Sequence, residues 1–145
     1  MSDLTLAAAQ TLVATALRTA RERSLKPLCV VVYDARGALK SLAAEDGTSL
    51  RRAEIARGKA NGALALGLGS RAIAKRAQEQ PEFVAAVSHV VGPEALVPVA
   101  GGVLIRDGEG RVVGAVGVSG DTSDNDEICA LAGIEAAGFR GDTGA

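Results

Sequence analysis

Tryptophan is missing from this 145-residue chain, and its aromatic complement is one Tyr and two Phe, 2% of the residues. The core therefore has to be built from Ala, Val, Leu and Ile, which favours close packing and leaves few platforms for stacking. There is a single His, so one chain offers one imidazole for ligating a metal or moving a proton near neutral pH. A bis-histidine site within one chain is excluded. The apolar runs fall well short of the ~20 residues that a membrane-spanning helix requires. Neither sign of charge dominates: 16 Lys and Arg stand against 17 Asp and Glu, a formal net charge of -1. The basic residues are spread rather than blocked, which argues against a nucleic-acid partner.

Cysteine is scarce too. Cys29 and Cys129 lack metal-site spacing and read as two reduced, packed thiols. The Ala-rich amino-terminal segment has Asp3 where an export signal would carry Lys or Arg, and its pattern runs on amphipathically to Arg18, Arg21 and Arg23. The expectation is a cytoplasmic protein without a membrane partner. With 48% apolar residues, residues 1–145 make one domain able to bury a sizeable core.

The patterning gives a regular order of elements. Thr5 is placed to cap a helix whose apolar positions Ala8, Leu12, Ala16 and Ala20 recur every fourth residue, ending near Ser24. Residues 28–33 (LCVVVY) and 39–44 read as strands joined by the turn residues 34–37, an antiparallel hairpin. A helix over 49–66 is stopped by Gly67 and Gly69, and a shorter helix over 70–80 ends at Pro81. Residues 88–91 read as a short strand. Residues 103–106 and 112–118 form a second hairpin around 107–110. A last helix runs from Thr122 or Ser123 to about Phe139, with Ser123 and Asp126 spaced as a capping box. Hairpins with helices grouped between them predict an α+β fold with an antiparallel sheet. Gly114 and Gly117 weaken a strand interior, so they mark places where another element or a ligand comes close to the backbone.

Taken together, the VPVAGGVLI segment, the GRVVGAVGVSG strand, the acidic DTSDNDE opening of the last helix and the VVVYDARGALKSLAAEDG hairpin resemble the GlcG/HbpS family. That family includes the C-terminal domain of some cobalamin adenosyltransferases. The resemblance covers nearly the whole chain. It implies a profilin-like three-layer α/β/α fold with a five-stranded antiparallel sheet and assembly as a homo-oligomer. It also implies a small-ligand-binding accessory protein of catabolic pathways, with haem binding or redox sensing in several members. Residue by residue, it carries Lys59 as a basic ligand-contacting position, Gly101, Gly102, Ser119 and Gly120 as glycine-rich strand ends, and Asp126 and Glu127 as the acidic pair. Where many members show an aromatic near this lysine, the chain has Ala63 to Leu66.

Each candidate also has a plain structural reading. His89 is the one residue able to ligate haem iron through imidazole, yet it sits in the apolar run VSHVV, where a hydrogen-bonded structural histidine is the ordinary case. Asp126 and Glu127 at a helix start are explained by the macrodipole. Lys59 suits a carboxylate or propionate, but lysine in a helix with Arg51, Arg52 and Arg57 is ordinarily solvated surface. Ser119 lacks the G-x-S-x-G pattern of a hydrolase nucleophile. Gly67-Leu68-Gly69-Ser70-Arg71-Ala72 follows a helix instead of a strand, so it is no dinucleotide fingerprint. The 121–126 segment mimics a calcium loop, but Asp126 replaces the required Gly and Ala132 the bidentate Glu.

Three functions remain open at this point. One is a ligand-binding or haem-binding accessory protein, its concave pocket formed where the tip of the late hairpin meets the amino end of the closing helix, near Gly101, Gly102 and Gly120, and completed by a neighbouring subunit. Another is an enzyme on a small organic acid, with Lys59 holding a carboxylate and His89 or Glu127 moving a proton. The third is a structural or regulatory oligomer without a ligand.

Overall fold

The computed structural model describes residues 3–145. Among the described residues five helices and five strands follow in the order α1 (Leu6–Glu22), β1 (Cys29–Asp34), β2 (Leu39–Ala44), α2 (Arg52–Leu66), α3 (Ser70–Glu79), α4 (Pro81–Val87), β3 (Gly102–Arg106), β4 (Val112–Ser119), α5 (Ser123–Ala136) and β5 (Arg140–Asp142). The strands form one sheet in the order β2-β1-β4-β3-β5, and every neighbouring pair is antiparallel. This is the α+β, three-layer architecture anticipated above.

Alternation along the central strands sorts side chains onto two faces. Val30, Val32, Val103, Ile105, Val116 and Val118 pack with α1 and α5 through Leu12, Ala16, Cys129 and Ile134. On the other face Cys29, Val31, Tyr33, Leu104 and Ala115 pack against Ala56, Ala60 and Ala63 of α2. The small residues set how deeply α2 sits: a Cβ on Gly117 would overlap the Ala56 carbonyl oxygen, and one on Gly102 the Lys59 carbonyl oxygen. The glycine in the middle of β4 is thus a helix-docking position, whereas a Cβ on Gly114 would overlap the Tyr33 carbonyl oxygen of β1 and come within 3.0 Å of Leu4 Cδ2. A separate small cluster of Ile73, Val84 and Leu96 holds α3, α4 and the following loop together.

Four local expectations are corrected. Pro81 does not merely end a helix; it begins α4 at a first-turn position, where its missing N–H costs nothing. Residues 88–91 are not a strand: 88–90 form a turn and Val91 a bend after α4, and the fifth strand is instead β5 at the carboxyl end. Three residues are too few for a periodic signal to show. The second helix starts at Arg52, three residues later than its polar flank implies. Thr122, not Ser123, caps α5 by accepting from Asn125 N at 3.2 Å, while Asp126 reaches back to accept from Asp121 N at 3.0 Å.

Candidate functional site

The residues singled out in the sequence fall into two separate places. Six of them converge where β3 and β4 meet α5. Lys59 leaves the sheet-facing side of α2 and runs under the strand ends. Its ammonium donates to Val118 O at 2.8 Å and to Asp126 Oδ2 at 3.2 Å, and both side chains of the ion pair are 2% exposed. Gly101, at φ +118, makes room: a Cβ there would lie 2.8 Å from Lys59 Nζ. Ser70 Oγ accepts from Gly102 N at 2.7 Å, and Ser119 Oγ accepts from Arg52 at 3.1 Å. Gly120 is sealed against the Pro27 carbonyl.

Burial pushes the Lys59 ammonium below the ordinary lysine value, against the opposing pull of the Asp126 carboxylate. Every buried side-chain nitrogen and oxygen among the described residues has a partner. The cluster therefore fills itself. Glu127, one residue on, accepts from Arg71 Nε through both oxygens at 3.1 and 3.0 Å, and Arg71 also pairs with Asp124. A carboxylate held in this way ties α3 to α5.

The expected hollow is thus displaced. The hairpin tip at 107–110 lies beside Gly138, Phe139 and Arg140, at the carboxyl end of α5, and the amino end of α5 meets the opposite end of the hairpin. There the Lys59 side chain occupies the space within a single chain.

His89 lies elsewhere. It is exposed, on the turn that follows α4, and that stretch is fastened to the outer face of α2, where Asn61 donates to Val91 O and Val97 N donates to Gly58 O. Lys59 lies on the other face of the same helix. Next to the turn is a hollow of about 340 Å³, lined by Ala77, Pro81, Val84, Ala85, Ser88, Leu96 and Pro98. Its walls are apolar apart from Ser88, the residue immediately before His89. An adjoining hollow shares Pro81 and is lined by Arg76, Glu79, Gln80, Glu82 and Phe83; the Arg76 guanidinium stands 4.2 Å over the Phe83 ring. Phe83 is 42% and Val90 77% exposed. No periodicity marks this place in the sequence, because short α4 and an irregular loop build it.

Among the described residues no group of three or more His, Cys, Asp or Glu side chains is placed to hold a metal ion, and no helix is long and apolar enough to cross a membrane. Cys29 and Cys129 are buried and unpaired.

Residues 4–135 match the family model described as haem degrading protein HbpS-like. The chain belongs to the HbpS-like family. Solved structures agree in fold. The PduOC:heme complex superposes with a TM-score of 0.83 at 22% identity, covering 95% of this chain and 97% of that one. A Klebsiella pneumoniae protein, ORFY, matches with a TM-score of 0.83 at 25% identity over 95% and 93% of the two chains. HbpS itself matches at 0.79 and 27% identity over 93% and 90%. A search of curated proteins returns no match.

Proposed function

We propose that this HbpS-like chain is a haem-binding accessory protein, in which the apolar hollow between α3, α4 and the 88–98 loop would hold haem and His89 would be its imidazole ligand. The observation that carries this reading is the position of His89: the chain's one histidine is exposed, and the residue before it, Ser88, lines an apolar hollow. Family membership supports it, as does the haem held by the similarly folded PduOC.

The residues fit the group in kind. An apolar wall suits a macrocycle and an imidazole would suit its iron, while Arg76, which lines the adjoining hollow with Glu79 and Glu82, would offer a cation for a propionate. At about 340 Å³ the hollow is at the small end of ligand sites, so part of the macrocycle stays uncovered by a single chain. A homo-oligomer supplies the remaining cover, and a second imidazole comes only from another copy. When bound, haem would supply an iron that exchanges electrons and takes small ligands; His89 would hold that iron, and Val84, Leu96 and Pro98 would keep water from the hollow. The polar cluster at Lys59 then has a structural task.

Titration with ferric haem tests the proposal. A saturable Soret band is expected for the native chain and a weakened one for Ala85→Glu, which places a charge in the hollow. Equal binding by both overturns the assignment of haem to this hollow. Light scattering on the same samples reads the assembly state, and a monomer in the presence of haem would contradict the oligomer.

A further inference from the structure

The two edges of the sheet are finished differently. β5 contributes three residues, and the turn before α3 closes on it: a Cβ on Gly69 would overlap the Thr143 carbonyl, with Asp142 O beside it. At the other edge β2 runs for six residues, and among the described residues its strand neighbour is β1 alone. Proteins ordinarily blunt such an edge with a charge, a proline or a bulge. The irregularity in β2 lies opposite Val32 and Tyr33, towards Lys40. Past it, Leu42, Ala43 and Ala44 keep an unbroken register with Val31, Val30 and Cys29 and carry neither charge nor proline.

The alternation of ladder bonds decides which backbone groups are left over. Glu45 N donates to Leu28 O at 2.9 Å. Bonding toward an antiparallel neighbour recurs at every second residue, so Ala43 bonds inward like Glu45, while the N–H and C=O groups of Leu42 and Ala44 point away from β1. Among the described residues no turn, loop or cap group bonds to them. Leu42 packs half-buried on the face that carries α2, and Ala44 is exposed.

This edge is complementary to itself. About a two-fold axis through Ala43, Leu42 meets Ala44 of the second copy and Ala44 meets its Leu42, so both outward residues bond reciprocally, with a large side chain opposite a small one. An axis at Leu42 or at Ala44 would set one of them against itself and the other against residues outside the straight part of the strand. The register through Ala43 also brings Lys40 opposite Asp46 at each end. Among the described residues neither has an ion-pair partner in its own chain, and Asp46 is exposed.

We infer that β2 is a dimerisation edge: two copies of this chain join strand to strand about a two-fold axis at Ala43, making one continuous antiparallel sheet. Backbone bonds of Leu42 and Ala44 hold the pair, and Lys40 and Asp46 select the register. The inference is independent of haem, since β2 contributes nothing to the hollow beside α4.

The test combines light scattering over a dilution series with residue-resolved amide exchange. Wild type is expected to assemble in multiples of two copies. Ala44→Pro removes a donor that its own chain does not use, at an edge where proline is tolerated, so its circular dichroism should match wild type while the dissociation constant of the dimer rises about tenfold or more. Lys40→Glu should weaken the dimer, and Lys40→Glu with Asp46→Lys should recover it. In wild type the Leu42 and Ala44 amides should gain protection as concentration rises, with Ala43 protected throughout; this readout decides the matter if Ala44→Pro does not fold. A wild-type monomer at every concentration, or an assembly in which Leu42 and Ala44 still exchange rapidly, would overturn the inference. So would an Ala44→Pro variant that folds and assembles like wild type, and failure of the charge swap to restore assembly would overturn the register.

Discussion

Lys59 Nζ and Asp126 Oδ2 lie 3.2 Å apart with both side chains 2% exposed, an ion pair sealed between the middle of α2 and the first turn of α5. Removing one partner leaves the other charged and buried, which typically costs about 3–5 kcal/mol. Asp126→Asn keeps the acceptor for Asp121 N yet strands the ammonium, so a loss in that range is expected in urea unfolding. Lys59→Met combined with Asp126→Asn removes both charges, and the double variant is expected to be more stable than Asp126→Asn alone.

The docking of α2 on β4 predicts a second stability effect. Gly117→Ala forces a Cβ into the Ala56 carbonyl oxygen, a backbone contact that cannot swing aside. A loss of about 1–3 kcal/mol or more is expected. Gly108→Ala, which meets nothing within 4 Å, serves as the control and should stay within about 0.5 kcal/mol of wild type.

Acid stability should carry the mark of Asp121. Its carboxylate is held down to about 2 by Asn125 Nδ2, then by the backbone N–H groups of Lys26 and Thr122. A depressed carboxylate contributes stability that is complete above its ordinary value of 3.8 and is lost as pH falls toward about 2. The unfolding free energy of wild type should therefore drop across that window, and that of Asp121→Asn should drop less.

Both thiols are fully buried, and burial raises their pKa values, Cys129 to about 11. Thiolate is the reactive form. A disulfide-exchange reagent at pH 8 should thus leave native protein essentially unreacted and titrate two thiols on unfolding. Rapid reaction of either one in folded protein would point to an opening of the core.

The sequence made the frame of the molecule legible because long periodic segments carry it: the four-residue spacing of Ala8, Leu12, Ala16 and Ala20, the β-branched run at 28–33, and the glycines that admit α2. What escaped is short or set by distant partners. Pro81 reads as a stop until Ile73 and Leu96 are seen to pack on Val84, and β5 is a strand only because β3 offers it an edge. Lys59 looked like a solvated cation because its spacing cannot show that Gly101 and Gly102 let it pass beneath the sheet end. His89, read within an apolar strand, stands exposed because Asn61 and Glu94 draw the loop after it onto α2.

The most direct measurement for the role of His89 is imidazole rescue of His89→Ala. The variant is expected to lose the ferric haem spectrum of wild type and to regain most of it when free imidazole is added, since the apolar hollow survives and only the ligand is missing. A wild-type spectrum in His89→Ala without imidazole would contradict the account.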